Sequence, residues 1–259
     1  MKKPSLIVYS DSPQSVCSFW RSHGVLSYLA RDNEIDFIEG TWQDNWDRLQ
    51  FANIAFFQRP MAKECLDQIA MAKDLGLKVV LDLDDYNILP EHHVVSDHYN
   101  RVYDESTFMK VMMLADLVLT TTDYLKSHYS MYARNIHVVP NAINDYWLQG
   151  RKFKKTKTVF LRAGDHHEHD IYEYKDEIIE VMNDNPDWTL EVAGSNPIFL
   201  QQEVNNYKYV GDLDIHTYFA YILNSEASIF IHPPIHPNCT CGRYPLYNTR
   251  ERVQKPFKE

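Results

Sequence analysis

Residues 115–141 read ADLVLTTTDYLKSHYSMYARNIHVVPN, and they indicate the fold class. Two short apolar runs, Leu117–Thr120 and Ile136–Val139, flank a helical pattern at Asp123–Tyr129. Two strands joined through a helix are typical of a β-α-β unit, in which the strands run parallel. The stretch therefore predicts a parallel sheet covered by helices.

The same alternation extends to both sides of this unit. The other predicted strands are Leu6–Tyr9, Ile35–Ile38, Ile54–Phe57, Lys78–Leu83, Thr158–Leu161, Trp188–Ala193, Tyr207–Val210 and Ala227–Ile231. The other predicted helices are Ser15–Leu29, Met61–Leu75, Phe108–Ala115, Ile171–Met182 and Ile215–Leu223. Strands that alternate with helices in this way indicate the α/β class with helices on both faces of the sheet.

A run of five basic residues at 151–157 interrupts the alternation. We interpret it as a solvated linker between two similar halves, because such charge runs favour exposed connections. The expected organisation is an N-terminal Rossmann-like domain at 1–149, a basic linker at 150–157, a partial second Rossmann-like domain at 158–232 and an irregular tail at 233–259.

Composition excludes several classes of protein. Lys and Arg total 26 against 36 Asp and Glu, a formal net charge of −10, which makes a nucleic-acid partner improbable. The 8 glycines are not spaced for a G-x-G-x-x-G fingerprint or a P-loop. The 4 cysteines form no repeated C-x-x-C pattern and indicate a reducing compartment, so we expect a cytoplasmic location. No apolar run has the length of a membrane span.

Acidic residues cluster at the end of the predicted strand Lys78–Leu83. Asp82 and Asp84 alternate along the chain and share one face, and Asp85 follows at the strand end. Paired carboxylates are costly to bury unless they meet donors, a cation or a reacting proton. Three interpretations remain open: a loop cap, a D-x-D ligand pair for a divalent metal, and the nucleophile strand of haloacid-dehalogenase-like phosphatases.

Three motifs resemble the group 1 glycosyltransferases of GT-B fold. Residues 115–120 are similar to the family's "AD-apolar-apolar-T/S" strand, and residues 138–143 to its "V-apolar-P-N-x-I" strand end. Residues 164–170 are similar to its "G-S-x-x-H-x-x-D" loop, although His167 lies one residue closer to Gly164 than in that pattern. The similarity ends near residue 233, so the second domain is expected to be incomplete and the chain truncated.

The resemblance implies a hexosyl- or pentosyltransferase with two Rossmann-like domains of GT-B type, of which the first faces the acceptor and the second the donor. The co-substrate would be a nucleotide diphosphate-sugar, with no other cofactor and no metal, and the acceptor hydroxyl stays unknown. Asp84 and Asp85 are the candidate catalytic residues. The candidate donor-binding residues are Arg162, Gly164, His167, Asp170 and Asn141.

Two other functions remain possible besides the transferase. One is a catalytically inactive binding protein that keeps the glycosyltransferase scaffold; the other is the phosphatase. A zinc site formed by His167 and His169 is disfavoured, because the two side chains would project to opposite sides of an extended loop. Arg21, on the first predicted helix, is expected to be an exposed helical arginine.

Overall fold

The computed structural model describes residues 3–10, 16–40, 46–60, 63–85, 96–97, 101, 103–141, 156–164, 168–225 and 227–231. These residues divide into two compact units, one within 3–141 and the other within 156–231. Each unit is built on its own parallel sheet. In the described part of the chain, no helix has the length and apolar character needed to cross a bilayer.

The first unit contains a six-stranded sheet in the order β2-β1-β3-β4-β5-β6. Its strands are β1 (Ser5–Tyr9), β2 (Asp36–Gly40), β3 (Ile54–Gln58), β4 (Lys78–Leu83), β5 (Leu117–Thr120) and β6 (Ile136–Val138). Its helices are α1 (Val16–Arg21), α2 (His23–Arg31), α3 (Lys63–Asp74), α4 (Glu105–Leu114) and α5 (Asp123–Tyr129), with a 3-10 helix at Trp46–Phe51. All paired strands are parallel, so their carboxyl ends lie along one side of the sheet, here called the first edge.

Both faces of the first sheet are buried. On one face, Ile7 and Phe57 belong to a core cluster with Phe108 of α4. On the other face, the neighbouring residues Val8 and Phe56 pack with the helix α2. Because side chains alternate between the faces of a strand, a sheet covered on both sides requires strands that are apolar at nearly every position.

The second unit contains a four-stranded parallel sheet in the order β10-β7-β8-β9. Its strands are β7 (Thr156–Ala163), β8 (Thr189–Gly194), β9 (Tyr207–Gly211) and β10 (Ala227–Ile231). Its helices are α6 (Glu168–Glu173), α7 (Lys175–Asp184), α8 (Ile198–Glu203) and α9 (Ile215–Asn224). Leu161 packs in a core with residues of α7 and α8, whereas Phe160 meets Tyr218 and Tyr221 of α9 on the opposite face. The predicted α/β class with two parallel-sheet domains is confirmed, and the second domain is the smaller.

Two predicted helices are each divided in the structure. The pattern over Ser15–Leu29 forms α1 and α2, separated at Ser22, whose hydroxyl donates to Gln58 Oε1 at 2.9 Å. The pattern over Ile171–Met182 is likewise divided at Tyr174. In the first case the Ser22 N–H keeps its helical bond to the Ser18 oxygen at 2.9 Å.

The predicted domain boundaries remain a prediction. β7 begins at Thr156, inside the expected linker 150–157. Residues 150–155 and the expected tail at 233–259 lie outside the described residues.

Candidate functional site

A buried ion pair joins α1 to the end of β4 at the first edge. Arg21 Nη2 lies 2.6 Å from Asp82 Oδ1, and Arg21 Nε lies 3.1 Å from Asp82 Oδ2. The exposed fractions of the two side chains are 3% and 0%. The expectation that Arg21 is an exposed helical arginine is wrong, because the carboxylate that it pairs with lies inside the sheet.

Arg21 also reaches the end of β6 through its remaining terminal nitrogen. Nη1 donates to the backbone oxygen of Val139 at 2.6 Å and to Asn141 Oδ1 at 3.1 Å. Arg21 therefore connects three parts of the first edge: α1, Asp82 of β4 and the segment after β6. The sequence motif that contains Asn141 is held in place by a residue about 120 positions earlier.

The buried ion pair affects the titration of Asp82. Burial raises the pKa of Asp82 to about 6, and the hydrogen bonds and charge of Arg21 limit that rise because they favour the carboxylate. Both Asp82 oxygens are occupied by Arg21, whose charge and hydrogen bonds favour the ionised carboxylate. A carboxylate in this state is poorly placed to attack a phosphorus atom, as the phosphatase interpretation requires.

A second arginine holds the two candidate catalytic carboxylates. Arg59 follows β3, and its Nε and Nη2 atoms lie 2.6 and 2.8 Å from the oxygens of Asp84. Nη2 also donates to Asp85 Oδ2. Burial disfavours the charge on Arg59, but the carboxylates of Asp85 and Asp84 outweigh it and raise the pKa of Arg59 well above its ordinary value.

The backbone around this second ion pair is also fixed. Arg59 has a φ of 51°, in the left-handed region, and its N–H donates to the Asp82 backbone oxygen at 2.9 Å. The Thr121 hydroxyl donates to the Asp84 backbone oxygen at 3.3 Å, and the Tyr129 hydroxyl to that of Asp85 at 2.9 Å. The carboxylates therefore sit on a backbone that is held from β3, β5 and α5.

Asp84 and Asp85 differ in how far they reach the solvent. The Asp84 side chain is 10% exposed and uses both oxygens on Arg59, whereas the Asp85 side chain is 27% exposed and meets Arg59 through Oδ2. Asp85 is the more accessible carboxylate of the two.

In the second unit, Arg162 lies near the carboxyl end of β7 and is stacked on an aromatic ring. Its guanidinium carbon lies 4.3 Å from the centroid of the Tyr218 ring, on α9. Burial raises the pKa of Tyr218, and the charge of Arg162 acts in the opposite direction. The Tyr218 ring and a hydrogen bond with the Tyr218 side chain therefore hold the Arg162 guanidinium in orientation.

The strand ends beside Arg162 approach one another closely. Gly194, at the end of β8, has a φ of 101°, and a Cβ atom added there would lie 1.9 Å from the Ala163 backbone oxygen.

The other predicted donor-binding residues of the second unit follow β7 in the chain. Gly164 comes directly after β7. Asp170 lies in α6 with an exposed fraction of 8%. His167, the remaining predicted donor-binding residue, lies outside the described residues.

The described part of the chain was also searched for side chains that could bind a metal ion. There, no group of three or more His, Cys, Asp and Glu side chains is placed to hold a metal ion. His169 instead lies 3.7 Å from Glu173 of the same helix.

The sequence analysis missed Arg59 and wrongly expected Arg21 at the surface, although both arginines organise the first edge. Arg59 lies two residues after the predicted strand Ile54–Phe57. This position could have identified it, because a charged residue at the carboxyl end of a buried parallel strand lies at the ligand-binding side of such sheets. Arg21 offers no comparable signal, because its burial depends on a partner 61 positions away.

No protein-family model matches the sequence, and no curated protein is detectably similar to it. Solved structures do match in fold. The S. aureus MnaA-UDP co-structure gives a TM-score of 0.52 at 10% identity, covering 88% of this chain and 73% of that chain. Sucrose-phosphate synthase from Thermosynechococcus elongatus gives 0.52 at 13% identity, covering 85% and 73%. UDP-GlcNAc 2-epimerase from Neisseria meningitidis, bound to UDP-GlcNAc, gives 0.50 at 11% identity, covering 88% and 77%.

These similarities establish the fold of the chain as GT-B-like. The fold that the three sequence motifs imply, two Rossmann-like parallel-sheet domains of glycosyltransferase type, is thereby confirmed. At identities of 10 to 13%, the comparisons show the fold alone.

Proposed function

We propose that this protein binds a nucleoside diphosphate-sugar and transfers the sugar to an acceptor hydroxyl. The observation that carries the proposal is the position of Arg162, a cation held over Tyr218 at the carboxyl end of the first strand of the second sheet. In open parallel sheets ligands bind beyond the carboxyl ends of the strands. The solved structures of similar fold include proteins bound to UDP and to UDP-GlcNAc, which supports a nucleotide-sugar ligand.

On the donor side, Arg162 would offset the charge that develops on the diphosphate as the bond to the sugar breaks. Such electrostatic stabilisation is commonly the largest contribution to the rate. Gly164 and Asp170 are proposed to line the same site, together with His167. Asn141, from the first unit, is proposed as a further donor-binding residue.

On the acceptor side, we assign the general base to Asp85. The acceptor hydroxyl would transfer its proton to the Asp85 carboxylate while its oxygen forms the new bond to the sugar and the nucleoside diphosphate departs. Asp84 is proposed to fix Arg59 and so the orientation of Asp85, because both of its oxygens bind that guanidinium. The sequence left the role of general base open between Asp84 and Asp85. Here Asp85 is proposed as the base and Asp84 as the residue that orients it.

A binding protein without catalytic activity is the second candidate. The observation in its favour is that Arg59 contacts both candidate catalytic carboxylates and so occupies oxygens that an acceptor hydroxyl would need. Such a protein would bind the nucleotide sugar and leave it intact.

Calorimetric titration with UDP, GDP and ADP tests nucleotide binding directly. We expect one of them to bind, and Arg162→Ala to weaken that binding by roughly tenfold or more, since hydrogen bonds to charged groups contribute about 1.5–3 kcal/mol. Arg134→Ala, which changes an exposed arginine of the first unit, is the matched control and should leave affinity unchanged. Unaltered affinity in Arg162→Ala contradicts the donor site.

Incubation with the corresponding nucleotide sugars then separates the two candidates. Slow release of the free nucleoside diphosphate, lost in Asp85→Asn, supports the transferase. Nucleotide binding without such release over a panel of UDP- and GDP-sugars supports the binding protein. A magnesium-dependent phosphatase activity that disappears in Asp82→Asn would contradict both.

A further inference from the structure

The Asn141 side chain is exposed, yet one of its two polar atoms is already engaged. Its Oδ1 accepts from Arg21 Nη1 at 3.1 Å. An amide side chain has one acceptor oxygen and one NH2 group on opposite sides of the same carbon. Fixing the oxygen toward Arg21 therefore turns the NH2 group away from the guanidinium.

Arg21 is itself prevented from moving. Its Nε and Nη2 atoms bind the fully buried Asp82 carboxylate, and its Nη1 atom binds the Val139 backbone oxygen as well as Asn141. The planar guanidinium fixes all of these directions at once. Its contact with Asn141 is thus set by buried partners that a ligand cannot displace.

The Arg21 contact also determines whether the Asn141 amide presents a hydrogen-bond donor or an acceptor to a ligand. A free amide can rotate and present either its oxygen or its NH2 group to a ligand. A guanidinium donates only, so it stabilises the orientation in which Asn141 turns its oxygen inward and offers two N–H donors outward. An acceptor oxygen, such as that of a phosphate or of a sugar hydroxyl, is the matching ligand group.

We propose that Arg21 is a positioning residue, which orients Asn141 as a hydrogen-bond donor to an oxygen of the nucleotide sugar. The identity of this ligand rests on the proposed function. The positioning of the amide rests on the contacts within the first unit alone. The two parts can therefore be tested separately.

Nuclear magnetic resonance of the full chain tests the positioning without any ligand. The side-chain NH2 signals of Asn141 are assigned by their absence in Asn141→Ala. We expect their ¹H–¹⁵N nuclear Overhauser effect to be that of a rigid group, and to fall to that of a mobile side chain in Arg21→Lys, which keeps the charge facing Asp82 but lacks the guanidinium fork. Equal mobility in the two proteins overturns the proposal.

Nucleotide titration of the same variants tests the link to the ligand. We expect Asn141→Ala to weaken binding of the best nucleoside diphosphate or its sugar conjugate by about tenfold. Arg21→Lys should weaken it by several-fold alone and by nothing further in the Asn141→Ala background, because it acts through Asn141. A merely structural role of Arg21 predicts the same loss in both backgrounds, and that result overturns the proposal.

Two outcomes need separate treatment. If the wild-type protein binds no nucleotide, the proposed function fails while the resonance comparison still decides the positioning. If Arg21→Lys does not fold, Asn141→Asp replaces it: the aspartate keeps an oxygen facing Arg21 but presents an oxygen outward. We expect that variant to bind nucleotide more weakly than Asn141→Ala does, and equal or tighter binding overturns the proposal.

Discussion

Arg59 and Asp84, which follow the ends of β3 and β4, form a bidentate ion pair with nitrogen to oxygen distances of 2.6 and 2.8 Å. Arg59 Nη2 also binds Asp85, so a single guanidinium organises both acidic residues that follow β4. The arrangement gives the two adjacent carboxylates different surroundings. One is engaged through both oxygens, and the other is more open to solvent.

The different surroundings of Asp84 and Asp85 predict that replacing each with Asn affects turnover and stability unequally. Asp85→Asn should lower the rate of sugar transfer or nucleotide-sugar hydrolysis by 10²-fold or more, the usual contribution of a general base. Its effect on unfolding should be small, because Arg59 keeps both bonds to Asp84. Rates are measured by nucleotide release and stability by urea unfolding.

Asp84→Asn is the matched comparison. It removes the more buried carboxylate, which binds Arg59 through both oxygens, so we expect a larger loss of stability and a smaller loss of turnover than in Asp85→Asn. The reverse order of the two effects would contradict the assignment of Asp85 as the base.

The backbone at Arg59 predicts a difference between Ala and Gly at the same position. Both substitutions remove the ion pairs, but only glycine adopts a φ of 51° without a steric penalty. We therefore expect Arg59→Gly to be more stable than Arg59→Ala by about 1 kcal/mol in urea unfolding. Equal stability of the two variants would show that the left-handed conformation relaxes when the side chain is removed.

Asp116 predicts a specific acid response. It is the acidic residue of the "AD" motif, and its carboxylate accepts from the Val79 backbone N–H at 2.8 Å, Lys73 at 2.7 Å and Lys78 at 3.2 Å. Burial opposes its charge, but these bonds outweigh that effect and lower the pKa of Asp116 to about 2. The charge therefore stabilises the fold above pH ~4, and this contribution is lost as the pH falls from about 4 to about 2.

Asp116→Asn tests this contribution. We expect the variant to lose about 1–2 kcal/mol of unfolding free energy at pH 7, and the difference from the wild type to shrink as the pH falls from about 4 toward 2. The measurement is urea unfolding at several pH values. Asp123→Asn, which changes an acidic residue of the neighbouring helix α5, provides a control. A difference between Asp116→Asn and the wild type that does not depend on pH would assign the stabilisation to shape and not to charge.

Gly194 predicts a large packing penalty. An added Cβ atom would lie 1.9 Å from the Ala163 backbone oxygen, and neither backbone can move without breaking the pairing of β7 with β8. We expect Gly194→Ala to lower the unfolding free energy by more than about 3 kcal/mol. Gly76→Ala is the matched control: Gly76 also has a positive φ, 79°, but nothing lies within 4 Å of an added Cβ, so only the conformational cost of about 1 kcal/mol applies. Similar losses in the two variants would contradict the steric explanation.

The layered α/β architecture follows from local sequence patterns. A continuous apolar run such as Val79–Leu81 within β4 is satisfied by a sheet that is covered on both faces, and this requirement is local. The helix start at Thr122 was equally local, because its hydroxyl caps a backbone N–H three residues later, that of Leu125. The acidic cluster after β4 was also visible, since strand ends define the ligand side of a parallel sheet.

The pairing of these groups, by contrast, depends on how the chain folds. Arg21 meets Asp82 across 61 positions and Asn141 across 120, and Arg59 meets Asp84 across 25. No local pattern encodes such pairs, because the strand order β1-β3-β4-β5-β6, and not the spacing in the chain, brings the strand ends together. Charge compensation inside the sheet then fixes which polar atoms remain for a ligand.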